Sequence, residues 1–251
     1  MLAEVRHRPM KGQGTIWTLS IVMAAGYLSV VAQPKVMKKE VETEFVVGRN
    51  GKLMSDQTQV VKSFDKNGRL LEESEQRYWS DVKRVIVHKK QYFYGPADRV
   101  DSIVTADDGK NVMVMVSLFD AAGRQNGVQE YTADGKFSFT TKYQFNMSNQ
   151  KIREEMYAPD GSPFNFKTYV YDKAGNMVEQ SASEKGTPRY RWVYAYNTKS
   201  HLIQRDDYSG EGVLLHKRRY AYNAESRIVR ETVLAPSGVV ERVIKYTYEY
   251  Y

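Results

Sequence analysis

An aromatic residue closes a recurring phrase at Phe119, Phe145, Tyr171, Tyr196, Tyr222 and Tyr248, at steps of 26, 26, 25, 26 and 26 residues. A period this regular marks one supersecondary unit used again and again. Asp or Asn follows most of these rings, at Asp120, Asn146, Asp172, Asn197 and Asn223. A turn residue comes three or four positions later (Gly123, Asn149, Gly175, Ser200, Ser226), often with an aliphatic anchor after it (Ile152, Met177, Leu202, Ile228). The stretch from Phe64 to Leu70 has the same form further upstream.

Each unit is interrupted again at its midpoint, by Asp108-Gly109, Asp134-Gly135, Asp160-Gly161, Lys185-Gly186, Gly210 to Gly212 and Ser237-Gly238. These are residues that reverse a hairpin. Between turns lie about 7 to 10 residues rich in Val, Ile, Thr, Tyr and Phe, which is strand length rather than helix length. One unit is therefore two strands and two turns. Counting from Val36 to the C-terminus predicts an all-β antiparallel meander of about 14 to 16 strands, in about seven two-strand units. Laid flat, such a sheet would be about 70 to 80 Å wide, so it must coil, wrap or close. An Asp or Asn at the start of a turn accepts the backbone N–H two residues on, so Asp65, Asp120 and Asp172 are read as turn residues rather than catalytic carboxylates.

The segments YDKAGNMVEQ, YNTKSHLIQR and YNAESRIVRE, beginning at Tyr171, Tyr196 and Tyr222, resemble the Tyr-Asp-x-x-Gly-x-Leu phrase of the Rhs/YD-repeat family. The second and third carry Asn for Asp and Ser for Gly, and the family's Asp-Pro-x-Gly core motif and toxin domain are missing. The resemblance implies hairpins joined in one continuous sheet that spirals, and so a coiled or elongated single-layer sheet in a short form of the family. An outer-membrane barrel is the competing architecture, and it needs an apolar outward face on every strand. Lys151 to Tyr157 and Leu202 to Tyr208 carry charge on both alternating faces, which tells against it.

Residues 1–32 read as a signal peptide, with Arg6, Arg8 and Lys11 before the uncharged run Thr15 to Ala32 and small residues ahead of Gln33. The repeat domain is then 33–251. A secreted, periplasmic or envelope location follows, with an uncleaved signal anchor as the alternative; after cleavage no membrane span is expected. Cysteine is absent, so neither a disulfide framework nor a lipid-modified Cys is available. Cleavage would remove three basic residues and one acidic residue, leaving a mild +5 with both signs interleaved. Nucleic acid is not an implied partner.

No metal-binding, nucleophile or phosphate-loop motif occurs, so no catalytic, cofactor-binding or metal residue is assigned. His88, His201 and His216 do not converge, and a hairpin at Ser209 to Gly212 would set His216 opposite about Arg205. Asp107-Asp108, Glu154-Glu155 and Asp206-Asp207 point to opposite faces of a strand, as do alternate members of His216 to Arg219.

The aromatics do not scatter. Tyr169 and Tyr171, Trp192, Tyr194 and Tyr196, and Tyr220 and Tyr222 recur at two-residue spacing, so each set shares a face. Tyr246 and Tyr248 continue the pattern. The stripe is either a packing ladder or a stacking platform for a sugar or another flat ligand, and those first seven rings are the candidate ligand-binding residues. The expected function is an exported, non-enzymatic scaffold or binding surface at the cell envelope. Its partner would be an envelope protein or a polysaccharide. The alternatives are a polysaccharide-active enzyme using carboxylates in a groove, and a remnant of an Rhs-type toxin or adhesin system.

Overall fold

In a computed structural model, residues 36–48, 51–79 and 84–251 are described. The chain is a meander of sixteen strands. The first eight are β1 (Met37–Val47), β2 (Leu53–Phe64), β3 (Leu70–Trp79), β4 (Arg84–Tyr94), β5 (Val100–Asp107), β6 (Lys110–Phe119), β7 (Gln125–Thr132) and β8 (Phe137–Phe145). The second eight are β9 (Lys151–Tyr157), β10 (Pro163–Tyr171), β11 (Met177–Glu184), β12 (Thr187–Tyr196), β13 (Leu202–Ser209), β14 (Leu214–Tyr222), β15 (Ile228–Leu234) and β16 (Val240–Tyr250). The repeat aromatics Phe119, Phe145, Tyr171, Tyr196 and Tyr222 are each the last residue of a strand. The signal-peptide segment 1–32 lies outside the described residues.

The sheet closes. Each strand pairs antiparallel with its neighbours in sequence, and β1 pairs with β16 from Met37 opposite Tyr250 to Val46 opposite Arg242. The coiled or elongated single-layer sheet is thereby corrected to a closed barrel of eight hairpins. An open sheet of this width would leave two edges of unpaired N–H and C=O groups and an uncovered aromatic face; closure pairs both edges and turns that face inward.

At one rim six of the seven turns are held by the same device, the exception being the β4–β5 turn at Gly95, which has no side chain to supply it. The Asp65 Oδ1 accepts N–H bonds from Asn67 at 2.8 Å and Arg69 at 2.9 Å, and Asn146 and Asn197 repeat this with Ser148 and Gln150, and with Lys199 and His201. The fourth turn residue takes a left-handed conformation, at Gly68, Gly123, Asn149, Gly175, Ser200 and Ser226. We call this the Asx rim. Val36, the first described residue, and Tyr251 both lie there, and the Tyr251 N–H donates to the Val36 carbonyl at 3.0 Å.

A β-bulge follows each Asx turn: Tyr196 faces Leu202, but Ala195 faces Gln204, so Ile203 is an extra residue. The same slip occurs beside Phe64, Tyr94, Phe119, Phe145, Tyr171 and Tyr222. Strict alternation therefore fails at each strand start, and the residue after the turn shares its face with the residue three further on. Lys151 and Glu154 both point inward for this reason and form an ion pair, although simple alternation places them on opposite faces.

Candidate functional site: the inner wall

The inner wall is banded. Nearest the Asx rim is a rank of rings comprising Tyr94, Phe119, Phe145, Tyr171, Tyr196, Tyr222 and Tyr248; behind it stand Tyr92, Tyr143, Tyr169, Tyr194, Tyr220 and Tyr246. Strand alternation and the register of neighbouring strands place them there.

The rim rank is locked into the wall. The Tyr171, Tyr196 and Tyr222 hydroxyls donate to the carbonyls of Lys151, Met177 and Leu202 at 2.8 Å, and Tyr94 and Tyr248 do the same with Leu70 and Ile228. Ring faces are covered from the turns. Arg99 lies 4.2 Å from the Phe119 centroid, Arg124 4.4 Å from Phe145, and His201 stacks on Tyr222 at 4.8 Å. Burial pushes the Tyr94 and Tyr196 hydroxyls up to about 12, so both stay neutral.

Tyr194 and Tyr220 are buried, at 7% and 9% exposure, in one cluster with Met177 and Leu202; Tyr169, Tyr171, Trp192, Tyr196 and Tyr222 pack against it half-buried. The candidate ligand-binding residues are thus gathered on three alternate strands of the inner wall, β10, β12 and β14. Trp192 lies deepest from the rim, stacked with Tyr190 at 4.4 Å and covered by the Arg205 guanidinium at 4.4 Å.

Below the rings runs a belt of paired charges. Lys62 contacts Glu40 at 2.8 Å and Glu42 at 2.5 Å, Lys90 contacts Glu73 at 3.0 Å, and Arg242 contacts Glu44 at 2.9 Å. On the opposite run of strands, Asp207 accepts from Arg205 at 2.6 Å and Arg218 at 2.8 Å, and Arg218 also binds Glu231. Burial alone would raise the Asp207 carboxyl, but hydrogen bonds and charge from the two guanidinium groups outweigh it and hold the pKa below the ordinary range. Glu154 is held low in the same way, against burial, by Lys151, Lys167 and the Tyr169 hydroxyl. Glu130 differs. Burial raises it, with only Lys167 acting in opposition.

His216 stands opposite Asp207 rather than Arg205, and Arg205 faces Arg218. The Ser209–Val213 turn and a one-residue bulge between Asp207 and Tyr208 together shift the pairing by two residues from the expected register. Among the described residues, no cluster of three His, Asp or Glu side chains is arranged to hold a metal ion. Sequence reasoning missed the charge belt as a unit, because four of its members (Glu73, Glu154, Arg205, Glu231) sit three residues after the first residue of their strand and the bulges hide that spacing from a two-residue alternation.

The outer wall is mixed. Lys142, Arg153, Glu155, Glu179, Arg191, Asp206, Lys217, Arg219, Arg230 and Lys245 fall outward by register, whereas β5 and β6 present Val104, Ala106, Val114, Val116 and Leu118.

No family model matches the chain, and no curated protein matches it. Among solved structures, the chain is similar to a porin-like protein from Bacteroides uniformis, at 12% identity and a TM-score of 0.58, over 86% of this chain and 99% of that one. Part of the Photorhabdus luminescens Tc holotoxin pore aligns at 13% identity and a TM-score of 0.33, over 80% of this chain and 13% of that one. A LolA superfamily protein from Nitrosomonas europaea aligns at 13% identity and 0.36, over 86% of each chain. At these identities the first likeness shows the fold alone, a porin-like barrel.

Proposed function

We propose that this chain is an exported, non-enzymatic barrel of the bacterial cell envelope that works in water and binds an extended envelope ligand, a polysaccharide strand, along its inner wall. The observation that carries this is the banding of that wall, rings above a belt of charges, inside a porin-like barrel. Rings give flat apolar contact, and the charges below offer hydrogen bonds to hydroxyls. The leader-like segment 1–32 supports export, and the hairpin phrase supports kinship with Rhs/YD repeats at the level of the unit, not of a cargo shell.

A lipid-facing barrel is disfavoured by the outer wall, where a charge at mid-depth costs about 2 to 4 kcal/mol and strands β11 to β16 each carry one. An enzyme would need two free carboxyl groups within about 5 to 10 Å. The inward acids Asp207, Glu231, Glu154, Glu40 and Glu42 are each held by a base, which leaves Glu130, opposed only by Lys167, without a free carboxyl partner among them.

Trp192 is the ring to test, because among the candidate rings it lies farthest from the hydroxyl-locked rank. A screen of glycans and envelope components against the protein should find a polysaccharide whose affinity falls at least about tenfold in Trp192→Ala. Tyr194→Ala reports on the buried rank behind it. Binding indifferent to both changes, or no binding at all, would leave a structural scaffold.

A further inference from the structure

The outer wall carries its charge unevenly. Lys89, Arg153 and Arg191 face outward and are each paired, with Glu72, Glu155 and Glu179. On the outside of β14 to β16 that pairing stops. His216, Arg218 and Arg242 point inward and find carboxylates there. Lys217, Arg219, Arg230 and Lys245 stand in the opposite phase, on the outside, and among the described residues none of the four makes an ion pair. Arg219, Arg230 and Lys245 are exposed.

Register turns these four into a line. Arg230 lies directly opposite Lys245, Arg219 lies diagonal to Arg230 across β14 and β15, and Lys217 is two residues along from Arg219. Each step is about 5 to 8 Å between Cβ atoms, and the line crosses three strands. Two cations set directly opposite one another destabilise a sheet. The Lys245 ammonium lies 4.8 Å from the Phe45 centroid, on β1. Among the described residues, one acid stands in the same outward rows from β13 to β1: Asp206, opposite Lys217, which accepts from the Gln204 amide at 3.0 Å. The apolar residues between the cations are already covered. Val243 and Leu234 face outward by register, yet are 1% and 7% exposed.

We propose that this line is a docking track for an acidic polysaccharide, a linear chain with carboxylates recurring along it, held on the outside of the barrel. A linear polyanion gives each cation a partner and relieves the repulsion between Arg230 and Lys245; the guanidinium forks of Arg219 and Arg230 match carboxylates. Thr232, opposite Arg219, and Thr43, opposite Lys245, offer hydroxyls to the sugars. A protein partner or a lipid surface gains from apolar side chains it can bury, and here Val243 and Leu234 are out of reach. Nucleic-acid bases need open rings, and Phe45 is capped by Lys245. The track is separate from the inner wall and does not depend on the function proposed for it.

Hexagalacturonate, titrated into the full chain by calorimetry beside digalacturonate and neutral cellohexaose, tests the assignment. Hexagalacturonate should bind saturably, more weakly as salt is added, and more tightly than digalacturonate, which brings two carboxylates to four cations. Arg219→Gln combined with Arg230→Gln should weaken it at least about tenfold. Arg230→Gln alone should weaken it less and melt no lower than the parent, because it removes a contact between like charges. Lys142→Gln takes one positive charge from the outer wall at β8, across the barrel, and should leave binding unchanged, as should Trp192→Ala in the lumen. The assignment is overturned if hexagalacturonate does not bind, if cellohexaose or digalacturonate binds as tightly, if the double variant binds like the parent, or if Lys142→Gln or Trp192→Ala weakens binding as much. Preference for phosphatidylglycerol vesicles over hexagalacturonate would make the face a membrane contact and equally overturn it.

Discussion

Asp207 sits between two guanidinium groups on the inner wall and is 6% exposed. Replacing it with Asn leaves Arg205 and Arg218 without their shared counter-charge, and the expected loss at pH 7 is about 3 kcal/mol, read as a lower midpoint in chemical denaturation. The pH dependence has a definite sign. A carboxyl held low in the folded state contributes stability above its ordinary pKa and loses it as pH falls through the depressed one, so the gap between parent and Asp207→Asn should close in acid. Glu130 runs the other way. Its raised pKa makes the ionised form a liability at neutral pH, so Glu130→Gln should melt higher than the parent at pH 7, and the two should converge once acid protonates the parent. Gly127 offers a steric test: a Cβ there would stand 2.4 Å from the Thr141 carbonyl oxygen on β8, so Gly127→Ala should cost about 2 kcal/mol or more by forcing β7 and β8 apart.

The hairpin is the element in which the 26-residue period becomes physical. Its ends were legible, because Tyr171-Asp172 and Tyr196-Asn197 combine a strand-ending ring with an Asx turn, and both features are local. The bulge was not. Ile203 and its counterparts are ordinary aliphatic or polar residues, and only the partner strand reveals that one of them has no opposite number. The charge belt and the inward Lys151 were hidden with it. Deleting Ile203 removes the residue with no opposite number and leaves Leu202, Arg205 and Asp207 on the inner face by plain alternation, so the variant should keep a cooperative thermal transition. The tyrosine lock gives a milder test of the same unit. Tyr222→Phe keeps the ring and removes the donor to Leu202, and should cost about 1 kcal/mol.

At the scale of the whole molecule, closure is what the period could not disclose. Every hairpin reads alike whether the sheet spirals or shuts; the decision rests on β1 and β16, distant in sequence, equal at 11 residues, and in register at one rim. An up-and-down barrel must have an even number of strands to close antiparallel. Removing residues 172–196, one whole unit, joins Tyr171 to Asn197 in the same Asx phrase and leaves fourteen strands able to close. Removing one strand leaves fifteen, and β1 would meet β16 parallel. The first deletion should give a folded monomer of reduced stability, and the second an aggregate or an unfolded chain, distinguished by light scattering and circular dichroism.

Val36 and Tyr251 meet at the Asx rim, the end whose inner wall carries the rings. The barrel therefore has a built-in polarity. A tether attached at Val36 would stand the molecule with its tyrosine-lined mouth toward the anchoring surface and its midpoint turns, Lys185-Gly186 among them, facing away. One attachment point would then decide which opening meets the membrane and which meets the outside.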